Sequence, residues 1–222
     1  MPNYVEEIHV ESETLRIGVP SNYFFDPCDS DIVKTVRNAV DQLESMGFTI
    51  IEFEFPLIDE IISAHNIIFS AEASAYHQRT ILQKSSEFTS DVRSSLEQGL
   101  FVPAVDYINA LRFRGFAFPR IVSLFKNFDV IVTPTEPFIP PMLGEKVVEF
   151  GGIQEDYEIA NVRNLAPFNL IGLPALSLPC GFAITGLPIG MQIIGKPFDE
   201  KTVLRVGYIY ENSTNWHLKY PG

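Results

Sequence analysis

The sequence predicts a single α/β domain over residues 1–222, and three observations carry that reading. An apolar run, an amphipathic helical pattern and a β-rich run follow one another within about forty residues, which is a βαβ unit and hence a parallel strand pair. Further short apolar runs alternate with helical patterns along the chain, as in a sheet covered by helices. The composition is globular: 46% of the 222 residues are hydrophobic and 20% charged, which excludes a disordered chain and a coiled coil. A chain of this length buries roughly seven-tenths of its extended surface, enough for one large core.

Taken in order, Leu15-Arg16-Ile17-Gly18-Val19 is a short apolar run closed by Pro20, a buried strand. Asp29, Ser30 and Asp31 offer N-cap chemistry to the helix that follows. In that helix Ile32, Val33, Val36, Val40, Leu43 and Met46 recur at helical spacing, with Lys34, Arg37, Asp41 and Glu44 opposite. Gly47 stands where a left-handed cap ends it. Residues 48–55 are rich in β-formers and read as the second strand. Residues 57–83 read as a long helix with Ile61, Ile62, His65, Ile68, Phe69, Glu72 and Ala73 on or beside one face. Helices over 88–99 and 103–127 follow, and Pro119 should kink or split the latter.

Residues 129–133 form another apolar strand that runs into the stiff segment Thr133-Pro134-Thr135-Glu136-Pro137. A loop and a short helix fill 151–164, residues 175–179 and 189–194 read as strands, and a last helix over 200–212 takes Asp199 as its N-cap. Residues 165–195 carry no charge, but four prolines and five glycines break the stretch. A membrane helix would lose hydrogen bonds at each proline, so the stretch reads as short buried strands joined by tight turns.

Charge and motifs narrow the function. Lys and Arg number 16 against 28 Asp and Glu, a net charge of −12, which argues against nucleic acid as the main partner. The first residues lack the basic and apolar regions of a secretory signal. Two cysteines are too few for a disulfide framework or a thiolate zinc site. The expectation is a soluble, cytoplasmic protein with no cofactor, metal, membrane or nucleic-acid partner. Phosphate-loop, dinucleotide, zinc-protease, Cys-x-x-Cys and nucleophile-elbow motifs are all missing. His65 and His77 fall about 120° apart around one helix and do not converge on a metal; His9 and His217 lie near the termini. Cys180 invites a nucleophile reading but fits a small buried hydrophobe better. The pairs Ser85-Ser86 and Ser94-Ser95 look like surface residues. Glu72 takes a buried-looking helical position, as a paired carboxylate would. Arg114 offers a planar guanidinium, the usual anchor for a carboxylate-bearing ligand.

One stretch is distinctive. It runs from Ala166-Pro167-Phe168-Asn169 through Gly172-Leu173-Pro174-Ala175 and Pro179-Cys180-Gly181-Phe182 to Gly186-Leu187-Pro188-Ile189-Gly190-Met191-Gln192-Ile193-Ile194-Gly195. It closely resembles the C-terminal part of the amidase signature family, which includes general amidases and the A subunit of glutamyl-tRNA amidotransferase. Leu15-Arg16-Ile17-Gly18-Val19-Pro20, Ala71-Glu72-Ala73, Phe128-Asp129-Val130-Ile131-Val132-Thr133-Pro134-Thr135 and Trp216-His217 agree in order. The resemblance implies a mixed, largely parallel sheet flanked by helices, the C-terminal half of that fold.

Members of the family hydrolyse amides with a lysine, a bridging serine and a nucleophilic serine, the serines lying in or beside a Gly/Ser-rich segment of the N-terminal half. Glycines there let backbone N–H groups reach the oxyanion, and the lysine takes the nucleophile's proton through the bridge. This chain has no such segment; its 14 glycines are spread, with none clustered beside a serine pair. The resemblance therefore supplies no catalytic residue. It supplies a substrate-pocket wall: Arg114, Thr133, Thr135, Phe168 and Asn169. Arg114 falls about where amidotransferase A subunits hold a glutamine carboxylate, but the aspartate that reads the glutamine amine falls near Val162 and is missing, so glutamine is not implied.

Two functions compete. In the first, the chain is the substrate-pocket half of an amidase, partnered in cis or in trans by the catalytic half and inactive alone. In the second, it is a catalytically dead, stand-alone derivative that starts at Met1, self-associates and binds a ligand or a protein.

Overall fold

The computed structural model describes residues 4–8 and 14–219; His9 falls outside them. After the single turn α1 (Tyr4–Glu7), strand β1 (Arg16–Pro20) leads into α2 (Ser30–Ser45) and β2 (Thr49–Phe53). The two strands pair in parallel, Ile17 opposite Ile50, as the βαβ pattern requires. Asp29 caps α2 by accepting the backbone N–H of Asp31 at 2.8 Å. The helix buries Ile32, Val36, Ala39, Val40 and Leu43, while Met46, at its end, is exposed. Gly47 closes it at φ +100°, a backbone that favours glycine.

Three helices follow: α3 (Ile58–Lys84), α4 (Ser90–Gly99) and α5 (Ala104–Leu124). Helix α3 buries Ile61, Ala64, Ile68, Ser74 and Ile81, but Phe69 and Glu72 face outward. Ser74 donates to the Leu96 carbonyl at 2.7 Å, and Gly99 lies so close to Ser70 and Ser74 that a Cβ there would collide with them. Helix α5 runs through Pro119 without splitting. The carbonyl that Pro119 cannot serve belongs to Gly115, and both residues lie on the exposed side, where water can take it.

Strand β3 (Val130–Pro134) pairs in parallel with β1, and Asp129 just before it accepts the backbone N–H of Arg16 at 2.8 Å and its guanidinium at 3.1 Å. A hairpin of β4 (Val147–Phe150) and β5 (Ile153–Asp156) follows, where sequence reading expects only a loop and a helix. Gly151 and Gly152, at φ +55° and +81°, make its two-residue turn. Next come α6 (Tyr157–Ala160) and α7 (Ala166–Ile171). Helix α7 corrects the expectation of strands alone in the uncharged stretch. Pro167 sits in its first turn, where no N–H is needed, and Gly172 caps it at φ +79°.

Strands β6 (Ala175–Phe182) and β7 (Pro188–Gly195) form an antiparallel pair, β7 also runs antiparallel to β3, and α8 (Glu200–Asn212) closes the fold. Asp199 precedes α8 without a side-chain cap bond; its carboxylate meets Lys196 at 3.4 Å instead. The sheet order is β2-β1-β3-β7-β6. Only β7 runs against the other four strands, so the sheet is mixed and largely parallel with helices around it. The main core lies along this sheet; a smaller cluster of Phe138, Val148, Phe150 and Ala160 holds the hairpin. No helix among the described residues is long and apolar enough to cross a membrane.

Candidate functional site

The end of β3 and the start of α7 are clasped by two buried amides. Gln192, in the middle of β7, donates from Nε2 to the Asn164 carbonyl at 2.9 Å and to the Pro134 carbonyl at 3.3 Å. Asn164, fully buried, donates from Nδ2 to Pro134 at 3.2 Å and to Phe24 at 3.5 Å. The N–H donors of both amides are paired, and the pairing fixes the segment after β3 against the turn before α7, although Asn164 Oδ1 has no partner among the described residues. Both residues escape sequence reading. The one signal is Gln192 itself, a lone polar residue in the apolar run 189–194.

Around this clasp the five expected wall residues divide into two groups. Thr133 is fully buried, and its hydroxyl donates to the Pro134 carbonyl at 3.1 Å. Thr135 is half-buried; its N–H donates to Gly190 at 3.1 Å, and its hydroxyl lies 2.7 Å from that of Ser177. Each hydroxyl of that pair has the other for a partner, and a hydroxyl is no base near neutral pH.

The second group gathers at α7. Phe168 is 1% exposed, stacked on Phe24 at 5.3 Å between centroids and edge-on to Phe55 at 5.8 Å. Asn169, next along the helix, is exposed. Arg114 is exposed on α5, and its Nη2 reaches the end of α7: a Cβ on Gly172 would lie 3.7 Å away. Arg114 also sits by Tyr107, whose hydroxyl donates to Glu72 at 2.9 Å. Glu72 is thus an exposed carboxylate with a tyrosine partner, and the expected buried position is corrected. Thr133 and Phe168 can act on a ligand only through their neighbours; Arg114, Thr135 and Asn169 present surface.

Sequence reasoning also passes over Glu136, next to Thr135. Burial pushes its carboxyl up to about 8, so near neutral pH it mostly keeps its proton. Cys180 is buried with its thiol pushed up to about 12 by desolvation, donating to Ile189 at 3.5 Å. That leaves little thiolate and argues against the nucleophile reading. Burial does the same to Cys28. His65 stacks on Phe69 and is held below its ordinary value by burial, and His77 lies edge-on to Phe88. His217 is exposed, as are Ser86, Ser94 and Ser95. Among the described residues no group of three or more His, Cys, Asp or Glu side chains could hold a metal ion.

Comparison with known proteins gives one answer throughout. The family model described as amidase matches residues 1–204. An amidase of Pseudomonas putida is 41% identical over 223 residues, covering all of this chain and 47% of the relative. The A subunit of glutamyl-tRNA(Gln) amidotransferase from Thermodesulfovibrio yellowstonii is 30% identical over 242 residues, covering 99% and 49%. Among solved structures, a chain from a vestigial protein complex bearing on the origins of an s-triazine catabolic enzyme superposes with a TM-score of 0.89 at 22% identity, covering 99% of this chain and 48% of that one. An amidase crystal structure gives 0.84 at 24% identity, covering 93% and 47%; at such identities the likeness speaks for the fold. The chain spans about half the length of the curated relatives it matches. With a family match across most of its residues and relatives that match it over its whole length, the chain belongs to the amidase family.

Proposed function

We propose that this chain is the C-terminal, substrate-pocket half of an amidase. It forms one α/β domain and completes an enzyme that cleaves a carbon–nitrogen amide bond, releasing ammonia or an amine. The observation that carries the reading is the end-to-end match to about half of each relative. The Gly/Ser-rich half, in cis or as a separate chain, supplies nucleophile, bridging serine and base. This half supplies Arg114, Thr135 and Asn169 to the wall facing a small amide substrate, with Thr133 and Phe168 holding them in place.

The surface supports such a partner. Strand β6 is an edge of the sheet, eight residues long and without a charge, whereas the opposite edge, β2, carries Glu52 paired to Arg37 at 3.0 Å. Natural edge strands are usually guarded by charge, proline or a bulge, or covered; β6 has Pro179 with a bulge beside it but no charge. The test is to co-express the chain with the part of the Pseudomonas putida amidase that it does not match, and to measure ammonia from simple primary amides. The expected result is a co-purifying, active pair and an inactive chain alone. Hydrolysis by this chain alone would overturn the reading. A cooperative, self-associated protein that ignores the added half would favour the stand-alone derivative.

A further inference from the structure

A cavity of about 200 Å³ lies in the seam between the hairpin cluster and the main sheet. Its walls come from α2, from residues 135–141, from α6 and the turn after it, and from the start of β7. Most of the wall is hydrocarbon, with Ile32, Phe138 and Ile139 prominent. Two wall residues break that pattern. Glu136 Oε2 and Asn161 Oδ1 are shielded from solvent and have no hydrogen-bond partner among the described residues. Unionised, Glu136 brings a donor as well as an acceptor; once ionised it joins Asn161 Oδ1 as a second acceptor on one small cavity, which suits a ligand that brings N–H groups together with hydrocarbon.

We propose that this cavity binds a small primary amine, held as its ammonium ion by Glu136 and Asn161, with the alkyl arm against Phe138 and Ile139. Among the described residues Glu136 is the one carboxyl on the cavity wall and no basic side chain lines it, which favours a cation over a neutral donor. Segment 135–141 carries Glu136 alone, and the start of β7 has no ionisable group. The first turn of α2 brings Asp29 and Asp31, and α6 brings Asp156, Tyr157 and Glu158. Asp29 and Asp156 cap their helices and Asp31 accepts the N–H of Ile184 at 2.9 Å, so only Tyr157 of these lines the cavity. Basic groups of adjoining stretches are directed elsewhere. Arg163 lies over the Tyr23 ring at 4.0 Å, Lys146 pairs with Asp91 at 2.7 Å, and Lys34 is exposed on α2. The site stands whether or not the chain completes an amidase.

Burial keeps Glu136 protonated near neutrality, so an arriving ammonium ion displaces that proton to solvent and leaves a carboxylate–ammonium pair. The test is calorimetry of the full chain with n-butylamine near pH 7, in two buffers of different ionisation enthalpy, with carboxyl NMR of Glu136 in parallel. The expected result is saturable one-to-one binding, release of close to one proton per amine, and a Glu136 signal moving to its ionised position. Glu136→Gln should abolish the proton release and weaken binding by about tenfold or more. Asn161→Ala should weaken binding with the proton release intact, and it decides the matter if Glu136→Gln does not fold. Absence of saturable binding overturns the proposal. So does equal binding of n-butyramide without proton release, which would make this a neutral-amide cavity, or amine binding that neither substitution changes.

Discussion

Helix α2 and the arm of α3, α4 and α5 solve the same problem differently. Helix α2 has one apolar face, and the chain buries it: Val36 and Leu43 are fully covered while Lys34 and Glu44 look out. The arm buries Ile61, Ile68, Ala117 and Ile121 on its inner side and still shows Phe69, Tyr76, Leu82, Phe101 and Phe116 outside. Tyr76 and Phe101 are 84% exposed. Single exposed hydrophobics are ordinary, but helices that are apolar on two sides belong in an interior. The difference separates a face that this chain covers itself from one whose apolar side chains no described residue covers.

The largest effect expected follows directly. Leu43→Ala opens a cavity under α2 and should cost about 2–5 kcal/mol in chemical denaturation. Leu82→Ala removes the same atoms from a side chain that is 72% exposed, and the isolated chain should lose no more than about 0.5 kcal/mol. Equal losses at the two sites would end the distinction between the α2 face and the outer arm. If the arm is the docking face, Phe101→Ser and Phe116→Ser should leave the chain folded and prevent co-purification with the catalytic half.

A smaller effect is expected inside the clasp. Gln192→Leu keeps the volume but leaves the Asn164 carbonyl without its 2.9 Å donor, which should cost about 1–3 kcal/mol. Pro134 keeps a bond from Asn164, so the loss should fall short of that at Leu43. A loss above that at Leu43 would show the clasp to be worth more than the apolar face it joins.

The same contrast governs what could be read from the sequence. Helix α2 was legible because local signals agree: Asp29 at its head, a helical apolar period, and Gly47 at its end. The hairpin at 147–156 escapes sequence reading although Gly151-Gly152 announces a two-residue turn, because its flanking strands are short and half polar. In α3 the sequence pattern placed Phe69 and Glu72 beside the buried residues, and only tertiary packing reveals that they face outward. Of the site, family resemblance names five residues but does not say which of their side chains present surface. The clasp and the seam cavity join residues far apart in the chain, Pro134 with Gln192 and Glu136 with Asn161, which no local pattern encodes.

A pH-dependent effect concerns Glu136 and Asp129, carboxyls shifted in opposite directions. Burial alone would raise Asp129, but hydrogen bonds and charge from Arg16, with a contribution from Lys196, outweigh it and hold the group below its ordinary value. Its contribution is present above the ordinary carboxylate range and is lost as pH falls through the folded value. Glu136 goes the other way, since burial raises it from 4.5 to about 8. Between those two values the folded chain binds more protons at this site than the unfolded chain, so stability must fall as pH rises through the window. Glu136→Gln removes the titration and keeps the shape. Thermal melts should therefore place the variant close to the parent at about pH 5 and above it at about pH 8. A gap that stays constant across that range would mean that Glu136 titrates as an ordinary glutamate and that the seam is open to water. The matching change at Asp129, Asp129→Asn, should lower the melting point most at neutral pH and least in acid, because there the parent has already lost the pair.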